Sequence, residues 1–243
     1  MKITRFITSF ILLSSTNLAL AAELAPVTGF GISFWSGERI PNAKLTILET
    51  GEVLQTDNNG AFAIKYPVGK PITFLFEKSG YATMQSGTFV VPKNGFTGPF
   101  DNITFQVPSS IVFNILKHTV GGKEDVNSCH VASTVTSFHK TLSDIPQGEE
   151  GAIVELTPKV DEKPFYFDIF ERGPLKGKTY PFATGLKATS KDGGIAFFNL
   201  PPSDKPYRLR AIKNGVIFSE ASFTCRKGAF INISPPKGPS AQL

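Results

Sequence analysis

Thr56-Asp57-Asn58-Asn59-Gly60-Ala61-Phe62-Ala63-Ile64 reads as a tight turn that feeds a half-buried strand. Asn59-Gly60 supplies the positive φ of such a turn, and Phe62 and Ile64 then fall on one strand face and point into a core. Pro67 closes the run. Pro71-Ile72-Thr73-Phe74-Leu75-Phe76 follows, with Ile72, Phe74 and Phe76 alternating against Thr73, Leu75 and Glu77, and Lys78-Ser79-Gly80-Tyr81 supplies the turn back.

The pattern returns about 134 residues later, and an internal repeat of that kind organises everything else. Thr189-Ser190-Lys191-Asp192-Gly193-Gly194-Ile195-Ala196-Phe197 is followed by Pro201, then Pro206-Tyr207-Arg208-Leu209-Arg210-Ala211, then Lys213-Asn214-Gly215-Val216. Asp192-Gly193 replaces Asn59-Gly60, Ile195 and Phe197 take the inward positions, and Tyr207, Leu209 and Ala211 alternate with Arg208, Arg210 and Ile212. Upstream, Gly29 to Trp35, a turn at Ser36-Gly37, and Leu45 with Ile47 give the earlier strands of the first unit. The second unit begins near Val131 to Phe138 and resumes at Ile153-Val154-Glu155-Leu156. Short strands at this spacing predict an all-β chain of two tandem antiparallel β-sandwich domains, 22–108 and 127–236. Between them, 109–126 is a linker ending in the polar run Gly121 to Asp125, and 237–243, rich in Pro and Gly with the residues before it, is expected to fray. Pro108-Ser109-Ser110 fits the cap of a short helix with Ile111, Val112, Ile115 and Leu116 on one face, although the β-branched residues suit a strand equally.

Gly29-Phe30-Gly31, Ile40 to Ile47, Thr56 with Asn59-Gly60-Ala61-Phe62, and Lys78-Ser79-Gly80-Tyr81 together resemble the carboxypeptidase regulatory-like, or transthyretin-like (prealbumin-like), domain family. Asp192 to Pro201 fits the same pattern, while the upstream part of the second copy is fainter. The resemblance implies a seven-stranded Greek-key sandwich, usually without catalysis. Its motifs are turns and core positions, which speak for fold far more than for function.

Composition agrees with a globular, turn-rich chain: 41% apolar residues excludes a charge-rich disordered one, and 22 Gly and 18 Pro call for many turns. Lys2 and Arg5 precede an apolar run from Phe6 to Leu13 and a small-residue end, Ala19-Leu20-Ala21, the pattern of an export signal cleaved after Ala21. Ser14 to Asn17 break that run too early for a membrane span. Localisation is therefore expected to be periplasmic or secreted. The two cysteines, Cys129 and Cys225, form an even count in an exported chain and are expected to pair as a disulfide. Residues 22–108 carry 6 basic and 7 acidic side chains, 109–243 carry 17 and 13. That surplus includes no Lys/Arg cluster interleaved with aromatics, so nucleic acid is not an expected partner, whereas an anionic surface or glycan stays open.

His118, His130 and His139 crowd near Cys129, but their spacing matches no compact metal motif, and no metal or cofactor is expected. There is no Gly-x-Ser-x-Gly elbow. The chain lacks the Tyr-Arg-Gly-Ser ending of the transthyretin-like hydroxyisourate hydrolases and the paired Tyr and His residues of the intradiol dioxygenases. No catalytic residue is assigned. Among 22 phenylalanines, Phe165-Tyr166-Phe167-Asp168-Ile169-Phe170 reads as one strand with Tyr166 and Phe170 on the face away from Phe165 and Phe167. Phe96, Phe100, Tyr180 and Phe182 lie in Gly/Pro-rich stretches. These six rings, Tyr166, Phe170, Tyr180, Phe182, Phe96 and Phe100, are candidate ligand or interface aromatics, or plugs of the sandwich ends. The expectation is an exported, non-enzymatic binding or structural protein with a protein or carbohydrate partner. The alternative is a secreted hydrolase with its site in the interdomain crevice.

Overall fold

The computed structural model describes residues 22–120, 125–181 and 185–242. The expected export signal, most of the linker run 121–125 and Phe182 lie outside the described residues. The first half contains β1 (Leu24–Ser33), β2 (Lys44–Ile47), β3 (Val53–Gln55), β4 (Ala61–Pro67), β5 (Pro71–Glu77), β6 (Met84–Val90) and β7 (Ile103–Val107). A helix, α1 (Ser110–Val120), follows. The second half contains β8 (Cys129–Thr134), β9 (Ile153–Thr157), β10 (Phe165–Tyr166), β11 (Asp168–Ile169), β12 (Thr179–Tyr180), β13 (Gly194–Leu200), β14 (Tyr207–Ile212), β15 (Ala221–Phe223) and β16 (Phe230–Ile233).

In the first half, the sheet β4-β1-β7 faces the strands β6-β5-β2-β3. Alternation fills the space between them: Phe62 of β4 meets Phe74 of β5 at 5.2 Å between ring centroids, and Phe105 of β7 meets Phe74 and Phe76 at 5.7 and 5.3 Å. Each fully buried ring stabilises the fold by roughly 2–3 kcal/mol through apolar burial. In the second half, β13-β8-β16 faces β15-β14-β9 around Ile195, Phe197, Leu209 and Phe223, and the disulfide Cys129–Cys225 ties β8 to the chain just past β15. Pairing is antiparallel except for β1–β7, β8–β16 and β16–β6.

The turns of the two halves are held by the same hydrogen bonds. The Thr56 hydroxyl accepts the Ala43 N–H (2.9 Å) and donates to the Ile40 carbonyl (3.0 Å). The Thr189 hydroxyl accepts the Ala152 N–H (2.9 Å) and donates to the Glu149 carbonyl. Likewise Gly31 N–H donates to Gly60 O (2.9 Å) where Val135 N–H donates to Gly193 O (2.8 Å). Gly60 and Gly193 have φ of 71° and 75°, and a Cβ on Gly193 would stand 2.3 Å from Val135 O, so the turn requires glycine twice over.

The halves are not merely strung together. β6 and β16 pair in parallel through Gln85 and Ile231, which fuses two four-stranded runs into one eight-stranded sheet, β10-β13-β8-β16-β6-β5-β2-β3. Gln85 Nε2 also donates to Thr224 O (2.9 Å), and Asn232 Nδ2 donates to Gln106 O (2.6 Å).

Three expectations are corrected. The linker segment 110–120 is helical and Ser109 Oγ caps it by accepting the Val112 N–H (3.3 Å), but its inner face is Val112, Phe113, Leu116 and Lys117. Ile111 and Ile115, expected inside, are 73% and 49% exposed. Phe113 stacks on Phe230 at 4.5 Å and the Lys117 ammonium lies 4.9 Å over the Phe113 ring, so an amphipathic stem fills a position the apolar pattern assigned elsewhere. The run Phe165 to Phe170 is not one strand: it breaks at Phe167, whose N–H donates to Gly194 O, so β10 adds to β13 while β11 pairs with β12. Finally, residues 237–242, expected to fray, are held by hydrogen bonds. Thr136 N–H donates to Pro239 O (2.8 Å), Ala241 N–H to Thr136 O (2.9 Å) and Ser219 N–H to Ser240 O (2.9 Å).

Candidate functional site

A groove of about 560 Å³ runs along the seam between the halves, and both contribute walls to it. From the first half come the end of β6 and the loop behind it, which carries Phe96 and Phe100. Gly95 sets that loop: at φ 73° its Cα lies so near β1 that a Cβ would stand 1.9 Å from Pro26 O. That approach lets Phe96 N–H donate to Pro26 O (2.8 Å) and Thr28 N–H to Phe96 O (2.8 Å), seating the Phe96 ring as the floor. From the second half come the loop after β8, with Phe138, His139 and Lys140, the approach to β15, and the packed chain end.

Three rings rise beside the floor. His139, at φ 57°, holds its imidazole 4.0 Å from the centroid of its neighbour Phe138 and 5.5 Å from that of Phe100, so the histidine of the second half packs between its own neighbour and a ring of the first half. Phe100 is 57% exposed, an open aromatic surface at the groove mouth. Lys237 projects beneath: its ammonium sits 3.9 Å from the Phe96 ring centroid and pairs with Asp101, and its side chain is only 12% exposed. Burial lowers the Lys237 pKa, opposed by the Asp101 carboxylate. Glu220, on the opposite wall, is paired with Arg210 at 3.1 Å.

Of the six candidate aromatics, Phe96 and Phe100 come together here. Tyr166 is buried in the second core, 5% exposed, and its hydroxyl accepts the Val154 N–H (3.1 Å). It is therefore a core ring and no platform. Phe170 and Tyr180 pack edge to face at 4.9 Å across β11 and β12, away from the groove. The sequence reading missed Phe138, His139 and Lys237, because only the fold brings a loop of the second half and the chain end against Phe100.

A hydrolytic site would need a histidine bonded to a serine and a carboxylate. His139 contacts aromatic rings and forms no hydrogen bond to either among the described residues. His130 is buried with Nδ1 accepting the Asn199 N–H (3.1 Å), and His118 is exposed on α1. Among the described residues no group of three His, Cys, Asp or Glu side chains gathers as a metal site, and no helix is long and apolar enough to cross a membrane.

No protein-family model matches the sequence, and no curated protein is similar to it. Among solved structures, the chain is similar to the Bacillus anthracis TIE protein (16% identity, TM-score 0.29, covering 90% of this chain), of which it spans 34%. It is also similar to the shaft pilin SpaA from Lactobacillus rhamnosus GG (10% identity, TM-score 0.26, covering 92% of this chain and 99% of that one). A third match is a streptococcal ancillary pilin (14% identity, TM-score 0.28, covering 90% and 63%). The chain's own strands form a β-sandwich fold with an open groove at the seam between its halves.

Proposed function

We propose that the chain is an exported, non-enzymatic binding or structural protein of the cell envelope or exterior, and that its seam groove receives a protein or glycan. The observation that carries this reading is the open ring stack Phe138, His139, Phe100 over the Phe96 floor, a concave aromatic surface with polar rims. Residues 22–108 and 127–236 are taken as two copies of one module, a reading supported by the matched threonine and glycine hydrogen bonds of their turns. The two halves meet where β6 pairs with β16, and the groove lies at their junction, a recurrent position for ligands.

The test is a screen of residues 22–243 against a glycan array and against envelope and secreted proteins, run beside a panel of hydrolase substrates. A retained ligand should lose about tenfold or more in affinity with Phe100→Ala, the loss expected when an exposed aromatic anchor is truncated. Turnover of a hydrolase substrate with no retained ligand would overturn the proposal.

A further inference from the structure

The walls of the groove include two strand edges whose backbone groups face each other unpaired among the described residues. On β6, register with β5 places Thr88 opposite Thr73. Thr73 turns its backbone away from β6: its carbonyl accepts the Leu48 N–H (2.8 Å) and its N–H donates to the Glu49 carboxylate (2.8 Å). Thr88 and Thr73 are therefore a pair that exchanges no hydrogen bond, and the N–H and C=O of Thr88, with those of Val90 two residues on, point away from β5. β16 covers that edge only at Gln85.

β15 supplies the other edge. Thr224 C=O is turned to β6, where it accepts from Gln85 Nε2, and Ser222 O lies 3.0 Å from where a Cβ on Gly87 would stand. Strand alternation then turns the N–H and C=O of Ser222 and of Glu220 toward β6, while Ala221 and Phe223 face β14. The strands run in opposite directions, closed together at Gly87 and Ser222, and beyond that point the groove opens between Thr88–Val90 and Glu220–Ser222.

We infer that the groove is a strand-acceptor site for an extended segment of another polypeptide. The inserted segment takes main-chain hydrogen bonds from β6 on one side and β15 on the other, so that β9-β14-β15 and β6-β5-β2-β3 become continuous through it. Its alternate side chains lie over the Phe96 and Phe100 wall, so residues there are apolar. Facing rows of amide and carbonyl groups at the strand repeat match a polypeptide backbone, whereas a saccharide is served by side-chain donors and acceptors in varied directions. The inference rests on the binding reading above and narrows its ligand to a peptide.

The probe is a phage-displayed library of random peptides about nine residues long, selected on residues 22–243, with enriched peptides synthesised plain and with every second amide N-methylated. Amide exchange at Thr88, Val90, Glu220 and Ser222 should be fast in the free protein and slow about tenfold or more at saturation. N-methylation in either of the two alternating registers should weaken binding at least about tenfold, because one register faces β6 and the other β15, and Val90→Pro should do the same with the melting temperature kept. N-methylated peptides leave the protein untouched, so the test stands even where the proline variant misfolds. No enriched peptide, slow exchange at those amides in the free protein, or full binding by either N-methylated form would each overturn the inference. A glycan that occupies the groove where peptides fail would overturn it while leaving the binding reading intact; the absence of any groove ligand would remove both.

Discussion

The turn at Asp57 and the turn at Asp192 perform the same backbone task in opposite surroundings. Asp57 is exposed and its carboxylate accepts the N–H groups of Asn59 and Ala61, both at 2.8 Å. Asp192 accepts the Gly194 N–H at 3.0 Å and the Thr179 hydroxyl at 2.7 Å, and is only 5% exposed. The difference comes from the strands β10 to β12, which have no counterpart in the first half and bring Phe167 and Thr179 over the second turn. The same backbone turn thus carries a buried ionisable group in one half through what is inserted beside it. Burial pushes the Asp192 carboxyl from the ordinary 3.8 up to about 6, against the lowering effect of its hydrogen bonds.

The halves also differ in what holds their cores. The first is filled by a cluster of Phe62, Phe74, Phe76 and Phe105 and has no disulfide, while the second closes a separation of 96 residues between Cys129 and Cys225. Replacing both cysteines by alanine should remove about 4–5 kcal/mol, the chain-entropy worth of a loop that long. Denaturant titration followed by amide exchange in each half should show the loss falling on β8 to β16. An equal loss in both halves would instead make the fused sheet a single cooperative unit.

The second effect concerns pH. Because the Asp192 pKa is raised in the folded state, the native protein binds a proton there that the unfolded chain releases between pH 4 and 6. The associated stability is fully present below about pH 4 and is lost as pH rises through about 6, by as much as roughly 3 kcal/mol. Asp192→Asn should flatten that part of the pH profile of unfolding free energy. A slope that survives in the variant would assign it to other groups.

A smaller and more symmetrical effect is expected from the paired threonines. Thr56→Ala and Thr189→Ala each leave a buried N–H and a carbonyl, buried at Ile40 and partly buried at Glu149, without their hydroxyl partner, which should cost about 2 kcal/mol in either half. Equal values would support the equivalence of the two turns. A loss in one half only would break it.

How much of this was legible in the sequence follows from the range of each interaction. Ile72, Phe74 and Phe76, and Tyr207 and Leu209, are buried as their alternation implies, because side-chain direction in a strand is a property of neighbouring residues. The Cys129–Cys225 pair needed only an even count and the expectation of export. The helix face came out one residue off because Lys117 lies inward on its hydrocarbon stem, which hydropathy scores as outward. The seam was illegible: it rests on Gln85 reaching Thr224 and on Gly87 admitting Ser222, contacts between residues more than a hundred positions apart. The groove was half legible for the same reason. Phe96 and Phe100 stood out as rings among Gly and Pro, while Phe138, His139 and Lys237 acquire meaning only opposite them.

The smallest effect isolates the turn from its surroundings. Asp57→Ala removes two carboxylate hydrogen bonds from an exposed turn, where water replaces the lost acceptor for both N–H groups, and should cost about 1 kcal/mol. Asp192→Ala removes the same kind of cap but also relieves the burial of a charge, so the two contributions oppose each other above pH 6 and the cap alone remains below pH 4. The difference between the two variants should therefore shrink in acid and widen toward neutrality, read as paired urea midpoints across pH 4 to 8. If the two alanine variants track each other at every pH, the insertion over Asp192 does not alter the energetics of its turn, and the contrast between the halves reduces to the disulfide.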